Sequence, residues 1–175
     1  MKKGLVHIYT GDGKGKTTAC AGLALRMAGS GGRVLYSFMQ KGVKSSEVKL
    51  MESIEGIEVL QVCTMTKFSY LQNEEEKAEY QRQHTEGLKE IIRLCKSGIY
   101  NMVIVDEAVG AILEKAITLE TILELIKTRP ENCEIVLSGR KPPIELITVA
   151  DYVSEIKAIK HPFEKGINAR KGIEY

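Results

Sequence analysis

Apolar residues in this chain fall into short runs that alternate with stretches of helical period. Residues 5–9 form an apolar run that meets a glycine-rich turn at 11–15, and a helical pattern follows through about Ala28. Strand, glycine turn and helix in that order open an α/β domain. Residues 33–38, after Gly31-Gly32, read as a second strand, 47–54 as a helix and 57–62 as a third strand. Residues 63–73 show no period and read as a loop carrying Phe68 and Tyr70.

The stretch from Glu74 to Lys96 predicts a long charged helix. Leu88, Ile91, Ile92 and Cys95 give it one buried face near its end, and its run of glutamates suits the positive end of the helix dipole. Residues 101–106 are a continuous apolar run ending in a carboxylate, the pattern of a central parallel strand buried on both faces. A helix is expected over 119–127, a buried strand over 134–137 and a helix over 143–149. A last, alternating strand over 152–159 precedes an irregular tail. Strands alternate with helices throughout, so the expectation is one domain over 1–175 with a mainly parallel sheet and right-handed crossovers.

Composition adds little to this and removes several classes. The 175 residues are 43% hydrophobic and 27% charged, ordinary for a folded soluble chain. A net charge of +2, with acids and bases interspersed, gives no sign of a nucleic-acid surface. Cys20, Cys63, Cys95 and Cys133 form no Cys-x-x-Cys pair and read as small buried hydrophobes in a reducing compartment. The amino terminus runs into only five or six apolar residues before Gly11, too short for a signal-peptide core or a membrane span. A cytoplasmic protein is expected.

The strongest chemical signal is Thr10-Gly11-Asp12-Gly13-Lys14-Gly15-Lys16-Thr17, followed by Thr18. A phosphate-binding loop needs small residues so that backbone N–H groups can converge on phosphate oxygens. It needs a Lys that reaches the outer phosphates and a hydroxyl that ligates Mg²⁺. Gly15-Lys16-Thr17 supplies the last three parts where the helix is expected to begin, although Thr10 stands where the strict pattern asks for Gly. The bland reading is a glycine turn with an accidental lysine; the strand before it and the helix after it argue against that. The second signal is Asp106-Glu107 at the end of the buried strand, where a carboxylate of a P-loop fold faces the phosphates and holds Mg²⁺ directly or through water. Spacing does not decide which of the two touches the metal. Nucleotide binding follows from these elements, but phosphoryl transfer, motor activity and alkyl transfer all use the same platform.

Ordered segments along the chain carry a family resemblance. They are Tyr9-Thr-Gly-Asp-Gly-Lys-Gly-Lys-Thr-Thr18, Phe38-Met-Gln-Lys-Gly42 and Phe68-Ser-Tyr-Leu-Gln-Asn73. Further on come Met102-Val-Ile-Val-Asp-Glu107, Ser138-Gly-Arg140, Ala150-Asp-Tyr-Val-Ser-Glu155 and Lys160-His-Pro-Phe163. The tail from Gly166 to Tyr175 continues the match. From Leu5 to Tyr175 the chain resembles the P-loop type of ATP:corrinoid adenosyltransferase of the cobalamin pathway, whose own loop carries Thr at the position of Thr10.

That resemblance implies a RecA-like P-loop α/β fold. It also implies that a cobalt(I) corrinoid attacks the 5′ carbon of ATP and expels the whole triphosphate. Lys16, Thr17 and Glu107 become the catalytic set, with a Mg²⁺ (or Mn²⁺) held by Thr17 and Glu107. The nucleotide lies on Gly11, Asp12, Gly13, Lys14, Gly15, Lys16, Thr17 and Thr18. Phe68 and Tyr70 take the places of two aromatics near the corrin, thought to displace the lower axial base from cobalt(II) and so ease its reduction. The bland alternative is that both simply pin a loop to the core. A reduced flavin or flavodoxin as electron donor and a homodimer are implied as well, with no nucleic acid and no membrane. Arg140 is expected near the active site, and His161 in a packing or hydrogen-bonding role.

Three departures qualify the match. The chain begins almost at its first strand, where several relatives carry a further helical segment that helps cover the corrin. Tyr70 stands for a familiar Trp, and Asp12 for a familiar Asn. The rival readings are a small P-loop NTPase or phosphotransferase, and a non-catalytic nucleotide- or corrinoid-binding relative.

Overall fold

The fold is described from a computed structural model, over residues 3–39, 46–67 and 71–174. Six strands form the sheet: β1 Val6–Thr10, β2 Val34–Phe38, β3 Ile57–Gln61, β4 Met102–Asp106, β5 Glu134–Ser138 and β6 Tyr152–Glu155. Their order is β3-β2-β4-β5-β1-β6, and every neighbouring pair is parallel. The helices are α1 Lys16–Gly29, α2 Ser46–Met51, α3 Glu74–Lys96, α4 Ala108–Leu113, α5 Leu119–Thr128 and α6 Ile144–Val149. A 3-10 turn at Pro162–Lys165 interrupts the tail that was expected to be irregular.

Period two divides the buried strand residues between two cores. Val34, Tyr36, Met102, Ile104 and Val136 pack with Cys20, Ala21 and Ala24 of α1 and with Val48 and Met51 of α2. Leu35, Val103, Val105, Ile135 and Leu137 pack on the opposite face with α3, α4, α5 and α6. Small side chains at Cys20, Ala21 and Ala24 let α1 lie close over the sheet. Its first residue, Lys16, is therefore only 7% exposed. The same alternation sends Asp106 and Ser138 to the α1 side, in step with Ile104 and Val136.

Helices α1, α3, α5 and α6 sit close to expectation. For α3 the bounds agree, and Asn73 closes a capping box with Glu76: its side chain accepts from the Glu76 amide at 2.9 Å while Glu76 accepts from the Asn73 amide at 2.8 Å. Two other elements come out shorter. α2 stops at Met51 because Ser53 and Ile54 bond back three residues, to Leu50 and Met51, ahead of a turn at Gly56. β6 ends at Glu155, not at 159, because β1 itself ends at Thr10 and leaves no further strand to pair with. α4 was not expected at all. All four cysteines are buried and free. Among the described residues no helix is long and apolar enough to cross a membrane.

Candidate functional site at the carboxyl ends of β1, β4 and β5

Open parallel sheets place their ligand sites beyond the carboxyl ends of the strands. Here three adjacent ends carry the chemistry: Thr10 leads into the glycine loop, Asp106-Glu107 closes β4, and Ser138 closes β5, which lies between the other two. The loop runs close against the chain that leaves β6. Gly13 donates its N–H to the Ile156 carbonyl at 2.8 Å, and the Ile156 N–H donates to the Thr10 carbonyl at 2.8 Å. A Cβ at Gly11 would lie 2.3 Å from the Ile156 oxygen and one at Gly13 2.7 Å from it, so both positions need glycine for clearance.

Gly15 caps α1 in the left-handed region (φ 118°), and no side chain caps the helix. The first N–H groups of α1 and the positive end of its dipole thus face the loop, an arrangement suited to phosphate. Lys16 Nζ lies in the curl of the loop, donating to the Gly11 carbonyl at 2.7 Å and the Gly13 carbonyl at 3.0 Å. Burial pulls its ammonium below the ordinary lysine pKa and neighbouring Arg140 pulls the same way. Glu107, Asp12 and Asp106 oppose them. Those interactions put Arg140, Asp12 and both carboxylates within electrostatic reach of Lys16. Lys14, Asp12 and Thr18 are exposed.

The two carboxylates of β4 have different surroundings. Asp106 is 4% exposed and accepts hydrogen bonds from three hydroxyls, those of Ser138, Thr17 and Tyr36, the last at 3.3 Å. Burial raises its pKa, and the three hydroxyls hold it down. Glu107 is half-buried and takes the left-handed conformation (φ 59°, ψ 24°), which turns the chain from β4 into α4. For a residue with a Cβ that conformation is costly and is held by its surroundings. Here its N–H donates to Ser138 Oγ at 2.8 Å. The turn after β5 is equally tight: Gly139 has φ 137°, and a Cβ there would stand 2.7 Å from the Val109 Cβ of α4.

The structure therefore gathers Gly11, Gly13, Gly15, Lys16, Thr17, Asp106 and Glu107 at one place. Phe68 and Tyr70 lie outside the described residues, as does the 40–42 portion of the Phe38–Gly42 segment. The flanks of the aromatic segment are tied to each other: Gln72 Nε2 donates to the Lys67 carbonyl at 2.9 Å, and Lys67 pairs with Glu76 at 2.6 Å. His161 caps the 3-10 turn, its Nδ1 accepting from the Phe163 amide at 3.2 Å. Reading the sequence missed Tyr36, the dual partner role of Ser138 and the backbone of Ile156. Only Ser138 left a trace, as a polar residue closing an apolar run.

Comparison with known proteins adds the family. The sequence profile described as "ATP:corrinoid adenosyltransferase BtuR/CobO/CobP" matches residues 2–175. A corrinoid adenosyltransferase of Escherichia coli K12 is 30% identical over 175 residues, covering 99% of this chain and 87% of that protein. One from Sinorhizobium sp is 33% identical over 178 residues, covering 99% and 81%. Among solved structures, the flagellar accessory protein FlaH from Methanocaldococcus jannaschii superimposes with a TM-score of 0.56 at 14% identity, over 89% of this chain and 72% of that one. The RadB recombinase gives 0.53 at 14% identity, over 91% and 77%. These structural likenesses bear on the fold alone, and they agree with a RecA-like P-loop architecture.

Proposed function

The chain belongs to the family of ATP:corrinoid adenosyltransferases, and we propose that it transfers the 5′-deoxyadenosyl group of ATP to the cobalt(I) of a corrinoid in making or salvaging adenosylcobalamin. Family membership carries the transfer chemistry, and the convergence of Lys16, the capless start of α1 and the Asp106–Glu107 pair on one glycine loop supports the nucleotide end of it. In the reaction, cobalt(I) provides the electron pair of the new cobalt–carbon bond. The C5′–O bond breaks, and triphosphate departs with the bonding pair and the 5′ oxygen. Cobalt ends formally as cobalt(III).

The protein's task is to hold the triphosphate as a leaving group and to keep C5′ open to the corrin. Lys16 and the α1 amides stabilise the charge that develops on it. Thr17, Asp106 and Glu107 offer hard oxygen donors, a set that suits Mg²⁺ or Mn²⁺. Among the described residues no cluster of three or more His, Cys, Asp or Glu side chains gathers, so phosphate oxygens and water would complete the shell. Thr17 and Glu107 would hold the ion, while Asp106, buried behind Thr17, orients its hydroxyl. When bound, the ion neutralises charge on the departing triphosphate. No acid, base or nucleophile of the chain is needed, because cobalt(I) is itself the nucleophile.

The finer reading is a single adenosyltransferase domain over 1–175, acting in the cytoplasm as a homodimer on cob(I)yrinic acid a,c-diamide or cob(I)alamin. A reduced flavin or flavodoxin supplies the electron that takes cobalt(II) to cobalt(I). Exposed Ile144, Ile147, Tyr152 and Val153 along α6 and β6 favour a covered edge. Phe68 and Tyr70 take the corrin side.

Product analysis tests the reaction. Protein, ATP, Mg²⁺ and chemically reduced cobalamin should yield inorganic triphosphate and a light-sensitive cobalt–carbon product, and running the diamide beside cobalamin assigns the corrinoid. ADP and phosphate formed without corrinoid would replace this reading with an NTPase; binding without turnover would replace it with a carrier. Changing Phe68 and Tyr70 together to Ala should spare turnover with a strong chemical reductant and abolish it with a flavin donor. Equal loss with both would leave the aromatics as pocket walls.

A further inference from the structure

We propose that Ser138 is the positioning residue that gives Asp106 and Glu107 their separate roles, by fixing Glu107 in the conformation that presents its carboxylate to the metal–triphosphate. The proposal rests on the metal-assisted reading above.

Ser138 is fully buried at the end of β5, between the strand that carries the phosphate loop and the strand that carries the carboxylates. Its hydroxyl has one hydrogen and must divide its two contacts accordingly. The Asp106 carboxylate can only accept, so the hydrogen goes there. The Glu107 N–H can only donate, so it uses the oxygen lone pair, at 2.8 Å. One hydroxyl thus joins the side chain of one carboxylate residue to the backbone of the next.

The consequence differs for the two partners. Asp106 has other donors in Thr17 and Tyr36. Glu107 is a non-glycine residue at φ 59°, a position that needs support from its surroundings. Without a bond at its N–H, the β4–α4 turn would relax toward ordinary backbone and carry the Glu107 carboxylate away from Lys16. Tyr36 is the natural control, because it shares Asp106 with Ser138; the bond to the Glu107 backbone belongs to Ser138.

The test is calorimetric titration of ATP, with and without Mg²⁺, into the parent protein and three variants. In the parent, Mg²⁺ should tighten ATP binding. In Ser138→Ala that gain should fall about tenfold, the size of one lost bond to a positioned group, with metal-free affinity unchanged. Tyr36→Phe should keep the gain within about twofold. Ser138→Cys fills nearly the same space with a weak hydrogen-bonding group and should lose the gain as Ala does, so the test stands if the Ala variant is unstable. An undiminished gain in folded Ser138 variants overturns the proposal. So does an equal loss in Tyr36→Phe, which would make Asp106 the object of the support. A parent with no Mg²⁺ gain at all would instead sink the metal-assisted reading beneath it.

Discussion

In the middle of the sheet β4 buries all five of its residues, and β5 all but the first. At the edge, β6 exposes all four of its own. Both regions nevertheless shape the same glycine loop. The centre contributes side chains, with Asp106 and Ser138 delivered to the loop by strand alternation and fixed by hydroxyl bonds in a dry environment. The edge contributes backbone: Ile156 exchanges hydrogen bonds with Thr10 and Gly13 and lies so near that Gly11 and Gly13 cannot carry a Cβ. Chemistry that needs a particular side chain is thus placed where burial dictates position. Shape that needs only a nearby peptide group is supplied by the chain just beyond an exposed edge strand.

The largest expected effect separates catalysis from folding at the centre. Lys16→Ala should lower adenosylation by roughly two to three orders of magnitude, the usual cost of removing one preorganised stabiliser of developing charge. Its circular dichroism and thermal midpoint should stay near those of the parent. A folded variant with near-normal turnover at saturating ATP and Mg²⁺ would mean that the loop has been assigned wrongly.

A smaller effect is expected at the edge. Gly13→Ala forces a methyl toward the Ile156 carbonyl, 2.7 Å away, and should push the loop off the chain that follows β6. Weaker ATP binding by about tenfold, close to the worth of one backbone bond with its strain, is the expected result of titration. Unchanged affinity would show that the edge merely passes by the loop.

The smallest effect is a control of opposite sign. Gly22 lies on the exposed face of α1, and a Cβ there meets nothing within 4 Å. Gly22→Ala should therefore stabilise the protein by about 0.5–1 kcal/mol in denaturant unfolding and leave ATP binding alone. Destabilisation would mean that α1 is strained along its length and that the need for glycine is not confined to the loop.

The centre was also the legible part of the molecule. Residues 101–106 read as a buried parallel strand because both faces demand apolar side chains, and the loop declared itself through Gly15-Lys16-Thr17. The edge was read too long: alternation continues to residue 159, but pairing stops when β1 does. The helix α4 was hidden because six apolar or small residues directly after an apolar strand show neither a period nor a cap signal; its cap is Glu107 in a conformation no sequence pattern announces. The split between Asp106 and Glu107 was undecidable for a related reason. Ser138 lies 32 residues from Asp106, and only the pairing of β4 with β5 brings them together. His84 was equally opaque, a scattered histidine in the sequence and in the fold a fully buried link between the Tyr80 and Met39 carbonyls.

The central claim is that the triphosphate held by Lys16 leaves intact from C5′. ATP carrying heavy oxygen at the bridge between C5′ and the α-phosphorus tests it most directly, in a reaction with Mg²⁺ and chemically reduced cobalamin followed by mass spectrometry. The label should depart with inorganic triphosphate, and the corrin-bound adenosyl group should carry none. Label retained in ADP or AMP, with unlabelled phosphate or pyrophosphate released, would place the broken bond at phosphorus and contradict it.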